Sequence, residues 1–240
     1  MRALTFIILL CMCSSQAKDD AERALNDARR LAERGDFEGA LAKHVWFHDN
    51  ALKVRRSYYG VRLSFALSDW IELAKKYPAA LEKLKSIRDE KTERLLAGAT
   101  NRELFHDVES INEHLGEMAA TVALFKRIEA GNPKFASQIY DLADEALLQN
   151  REYVLAKKYL GDPTERLVTA KRNFEEGMKF AKTSKSGDAS RRAFERIFTD
   201  KVVQITTVLR ETGDETGAKN IQTEGLKTLD NAAIRDALKE

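Results

Sequence analysis

The sequence predicts an all-α chain of stacked antiparallel helical hairpins. Three observations carry that expectation. From Asp20 onward apolar residues recur at helical spacing, and no alternating run is long enough for a strand. Charged residues make up 32% of the chain, prolines number only three, and 43% is apolar, a balance suited to amphipathic helices. A motif occurs twice, as Gly35-Asp36-Phe37-Glu38-Gly39-Ala40 and Gly213-Asp214-Glu215-Thr216-Gly217-Ala218. Each copy follows a leucine, Leu31 or Leu209. Such a motif encodes an antiparallel helix pair: Gly closes one helix, Asp caps the next, and the small Ala lets the two approach.

The elements follow in order. Ala21, Leu25, Ala28 and Leu31 form a first apolar stripe, closed by Gly35. A long helix is expected from Phe37 to Tyr59, roughly 35 Å at about 1.5 Å per residue. Gly60 interrupts it, and Leu63, Ala66, Leu67, Trp70 and Ala74 continue on a new stripe. Pro78 opens the next helix, which carries Leu81, Leu84 and Leu95 before Gly98. Asn101 starts a helix expected to reach Ile128, before Gly131-Asn132-Pro133 breaks it. Phe135, Ile139, Ala143, Ala146 and Leu147 form another stripe, with Tyr153 to Leu160 as its short partner. Gly161-Asp162-Pro163 ends that helix, and the following one closes near Thr183. Residues 183–188 have the composition of a linker, which sets a helical array over 18–182 apart from a C-terminal hairpin and tail helix over 189–240.

Residues 1–17 read as a signal peptide: Met1-Arg2 is positive, Ala3 to Cys13 is nearly all apolar, and Ser15-Gln16-Ala17 offers a cleavage site. The apolar run is too short for an anchor, so no transmembrane segment is expected after cleavage. Lipidation at Cys13 is the alternative, disfavoured because Met12 stands where a small residue is needed. Both cysteines lie in the leader, so the mature chain has neither disulfides nor a cysteine metal site. The expected location is the periplasm or the exterior of a bacterial-type cell. The 40 basic and 38 acidic residues are interspersed, apart from small clusters at Arg55-Arg56-Arg62 and between Lys182 and Arg192, so no long-range field announces nucleic acid or an anionic membrane, and nucleic acid is not an expected partner.

The spacing of Ala28, Leu31, Gly35, Phe37 and Ala40 resembles the tetratricopeptide repeat. Partial matches lie at Leu147, Tyr153 and Ala156, where Arg151 replaces the Gly, and at Leu209, Gly213 and Ala218, where Glu215 replaces the aromatic. Ala66, Trp70, Leu73 and Pro78 give a fainter echo. The glycine positions are irregularly spaced, so the resemblance implies an irregular right-handed solenoid of hairpins over about half the chain. It also implies binding or scaffolding of a protein or peptide rather than catalysis.

No phosphate-binding glycine loop, nucleophile elbow, zinc-protease helix or calcium loop is present. No catalytic residue and no cofactor are therefore assigned. On the helix from Phe37, the residues Ala40, His44, His48, Ala51, Arg55 and Tyr58 share one quarter of the circumference. His44 and His48 have the spacing of a metal-ligand pair, which His106 or His114 would complete, although Arg55 beside them would repel a cation. Metal binding or hydrolysis at that pair is the alternative function, a buried polar network the bland one, and a ligand-facing strip a third. A structural spacer is a further reading of the whole chain. Trp46 lies across the helix from His44, either packed by a neighbouring hairpin or exposed as an anchor. Seven aromatic residues fall between Trp46 and Tyr77. A surface of Arg29, Trp46 and Tyr59 is the candidate binding site, with aromatic burial supplying affinity and rim charges selectivity.

Overall fold

The computed structural model describes residues 20–239, and these contain helices and no strand. The leader, its cleavage site and Cys13 lie outside the described residues. The elements are α1 (20–33), α2 (Phe37–Val54), a 3-10 turn (Arg56–Tyr58), α3 (Tyr59–Leu63), α4 (Phe65–Ala74), α5 (Pro78–Leu96) and α6 (Arg102–Leu115). They continue with α7 (Met118–Gly131), α8 (Pro133–Gln149), α9 (Tyr153–Leu160), α10 (Pro163–Thr183), α11 (Gly187–Glu211), α12 (Glu215–Thr228) and α13 (Ala232–Asp236). The chain falls into two compact units, one ending at Ile128 and one beginning at Glu129.

Both copies of the duplicated motif make the same turn. The Asp36 amide donates to Leu31 O at 3.0 Å, and the Asp214 amide donates to Leu209 O at 2.8 Å. The intervening Gly35 and Gly213 are left-handed, with φ of +81° and +82°. Each Asp carboxylate then accepts from the amide three residues on, Gly39 or Gly217, at 2.9 Å. Left-handed backbone strains a side chain, which is why glycine stands at both corners. The partial match repeats the turn without glycine: Glu152 N donates to Leu147 O at 2.8 Å, and Arg151 is held at φ +57°. Ala40, Ala156 and Ala218 are fully buried where the paired helices meet.

The first unit has two apolar clusters. Ala21, Leu25, Phe47, Ala51 and Ala66 form one, and Ala40, Leu67, Trp70, Leu73, Leu84, Ile87 and Ile111 form the other. Trp70 ties α4 to α5, donating from Nε1 to Ala80 O at 2.9 Å. In the second unit, α10 packs along α11 and α11 along α12. Phe198, Val202, Ile205 and Leu209 make a buried stripe on α11. Residues 183–188 hold the turn between α10 and α11.

Two boundaries depart from the sequence expectation. The helix from Phe37 does not run to Tyr59; Arg55 is extended (φ −161°, ψ 125°) and ends it five residues before Gly60. The helix from Asn101 does not reach Ile128 unbroken; Gly116 takes φ +70° and starts a new turn. The Gly116 break is local and repeats the glycine corner: the Glu117 amide donates to Asn112 O at 2.7 Å around the left-handed Gly116.

Candidate functional site

In the first unit α2, α3, α5 and α6 bring charged groups into the core. His44, Phe47, His48 and Ala51 form the buried face of α2, whereas Arg55 is exposed because the helix has already ended. The guanidinium beside His48 belongs instead to Arg62 of α3. Arg62 Nη1 donates to His48 Nε2 at 3.3 Å, and its Nη2 donates to Asp107 Oδ1. Lys91 Nζ donates to the other carboxylate oxygen, Asp107 Oδ2. Burial pushes the Asp107 carboxyl up, but the charges and hydrogen bonds of Arg62 and Lys91 outweigh it and hold the group below its ordinary value. Burial, reinforced by Lys91 and Arg62, drives His48 down to about 3, so its ring is neutral near pH 7.

This arrangement fixes the chemistry of His48. Guanidinium has no acceptor, so Nε2 must offer its lone pair to Arg62 and the ring proton sits on Nδ1. The lone pair a metal would need at Nε2 is already engaged, beside a buried cation. Among the described residues no group of three or more His, Cys, Asp or Glu side chains is placed to hold a metal ion. The later histidines are engaged elsewhere. His106 Nδ1 lies 2.8 Å from the Tyr59 hydroxyl, and His114 bonds Ser110 O at 2.8 Å and Ser68 Oγ at 3.3 Å.

His44 stands apart from that network. Its ring stacks on Trp70 at 5.5 Å with 28° between planes. It is 2% exposed, and its Nδ1 has no hydrogen-bond partner. Burial lowers its pKa to about 4, with Asp69 opposing and Arg29 assisting. The residue forms part of a cleft of about 180 Å³ with Arg29 and Glu33 of α1 and Asp69, Glu72 and Lys76 at the α4 end. Arg29 Nε donates to Asp69 Oδ2 at 2.7 Å across its mouth.

The three residues expected to share a binding surface have separate settings. Arg29 is in the His44 cleft. Trp46 is 38% exposed, and at about 100° per residue it projects roughly 200° around α2 from His44. Tyr59 is half-buried against His106, with the Arg56 guanidinium 6.0 Å from its ring. The structure thus joins Arg29 to His44 rather than to Trp46.

Sequence reasoning missed a cleft in the second unit. About 470 Å³ in volume, it is bordered by Tyr159, Arg166, Thr169, Asn173 and Lys201. Its cations are engaged: Arg166 lies over the Tyr140 ring at 4.8 Å and donates to Leu160 O, while Lys201 donates to Asp144 and to Gln204 Oε1. Burial raises the Asp144 carboxyl although Lys201 pulls it down. Nothing in the spacing of these residues announces the cleft, because it depends on how α9, α10 and α11 converge. No protein-family model matches the chain, and no curated protein matches it.

Proposed function

We propose that this chain is a non-enzymatic binder of a protein or peptide, working in the bacterial cell envelope through the His44 cleft. The observation that carries the reading is a cleft beside the buried His44, rimmed by charges of both signs. The cleft volume of about 180 Å³ is below the ~300 Å³ at which small-molecule sites usually begin. It suits one inserted side chain better than a cofactor. Rim charges of both signs, Arg29, Glu33, Glu72 and Lys76, suit a polar peptide around that side chain.

The tetratricopeptide-like turns at Leu31–Asp36, Leu147–Glu152 and Leu209–Asp214 support the same class, since hairpins of this kind commonly present binding surfaces. The alternative of a metal or hydrolytic centre at His44 and His48 draws no support from a His48 whose Nε2 lone pair is engaged by the Arg62 cation. Trp46 supplies a second, exposed contact on another face of α2.

Cross-linking in the native envelope followed by mass spectrometry tests the reading. A specific partner is expected, and Arg29→Ala should reduce its recovery about tenfold, the equivalent of ~1.4 kcal/mol. Recovery unchanged by Arg29→Ala but lost with Trp46→Ala would move the site to the other face of α2.

A further inference from the structure

The α10–α11 turn concentrates positive charge that the rest of the chain lacks. Between residues 179 and 192 stand Lys179, Lys182, Lys185, Arg191 and Arg192, against the single carboxylate of Asp188. That is a net +4 in a chain whose whole net charge is +2. Arg191 is partly neutralised by Glu195 at 3.2 Å and Asp188 at 3.8 Å. Lys179, Lys182, Lys185 and Arg192 are exposed and make no ion pair or hydrogen bond among the described residues. Lys182, Lys185, Arg191 and Arg192 border one open hollow of about 650 Å³, with Ser184 and Ser186 between them.

Apolar packing thins toward this end of the hairpin. The Phe174 and Phe198 rings meet tilted at 5.0 Å, and Phe194 lies so close to Gly177 that an added Cβ would sit 2.3 Å from its ring. Beyond that layer the last turn of α10 buries only Ala181 and leaves Phe180 58% exposed. Lys179 precedes that ring and Lys182 follows it. Unpaired lysines gathered at one exposed end of a hairpin have the composition of a peripheral bilayer contact, in which cations meet lipid phosphates. No helix among the described residues is long and apolar enough to cross a membrane, so such contact would be peripheral.

We propose that the α10–α11 turn is a docking surface for an anionic phospholipid bilayer, with Lys182, Lys185 and Arg192 as the headgroup contacts. Charge complementarity selects this occupant. Unpaired lysines spread around an open hollow match a sheet of phosphates better than one enclosed anion, and lysine attraction to such a surface is long-ranged and salt-sensitive.

Vesicle co-sedimentation of the full chain tests the proposal, using phosphatidylglycerol–phosphatidylcholine vesicles and pure phosphatidylcholine vesicles as baseline. Affinity above the baseline is expected for the anionic vesicles and should fall as salt is raised. The triple variant Lys182→Glu, Lys185→Glu, Arg192→Glu should lower that excess at least about tenfold with helix content unchanged. Equal binding to both vesicle types, or undiminished binding by the triple variant, would overturn the proposal. So would release by millimolar inorganic phosphate at constant ionic strength, which marks a single-anion site, or tighter binding to a DNA duplex than to the vesicles.

Discussion

Arg62 and His48 share a hydrogen bond, Nη1 to Nε2 at 3.3 Å, in a core where both side chains are almost entirely buried. The bond makes the histidine a neutral acceptor and leaves Asp107 as the counter-charge of Arg62 and Lys91. Removing that carboxylate would strand two cations in the interior. Asp107→Asn should therefore destabilise the protein by about 3–5 kcal/mol, the usual result of breaking a buried pair from one side. Denaturant unfolding checks this, and a loss below about 1 kcal/mol would mean that solvent reaches the network.

The two neutral histidines set a pH dependence. Their folded pKa values, about 4 for His44 and about 3 for His48, are below the ordinary value of 6.5. The unfolded chain therefore binds more protons as pH falls below 6.5, and stability is lost from there down toward the folded values. Asp107, depressed in the fold, works in a lower window: its contribution is present above its unfolded value near 3.8 and is lost as pH falls through its folded one. The melting temperature should drop between about pH 7 and about pH 5, and His48→Gln should flatten that slope. A flat profile for the unmodified protein would show that His44 and His48 are not desolvated.

Arg151 occupies a left-handed corner that glycine fills at positions 35 and 213. Arg151→Gly should relieve the strain and stabilise the protein by about 0.5–1 kcal/mol, raising the melting temperature by about 1–4 °C. A lower melting temperature would mean that the Arg151 side chain contributes more than its backbone costs.

At the N-terminus the expectation is a mature chain starting at Lys18 without lipid, from the Ser15-Gln16-Ala17 pattern and the unsuitable Met12. Intact-mass measurement on exported protein reads this directly. A diacylated Cys13 would replace ordinary cleavage with membrane anchoring.

Much of the fold was legible because its turns are chemically marked. Gly35-Asp36 and Gly213-Asp214 fix both the corner and the next helix cap through local bonds alone. The break at Arg55 was not legible, since helical spacing continues through it, whereas Gly116 offered the same glycine corner as Gly35 without the aspartate that marks the next cap. The site divided in the same way. Periodicity placed His44 and His48 on the buried face of α2 but could not choose which distant cation would meet them. Arg62 is fourteen residues beyond His48 in sequence and arrives only because α2 stops at Val54. Asp69, which pairs with Arg29 and perturbs His44, comes from α4 and carried no signal of its own.

We propose that a partner engages the cleft beside His44. A photo-cross-linking side chain in place of Glu72, at the cleft rim, measures this most directly when compared with one in place of Val154, an 81% exposed position in the other unit. In the native envelope the position-72 probe should give one dominant protein adduct that weakens at least about fivefold with Arg29→Ala, while the position-154 probe gives none. Equal adducts from both positions, or an adduct at position 72 indifferent to Arg29→Ala, would contradict a binding site in this cleft.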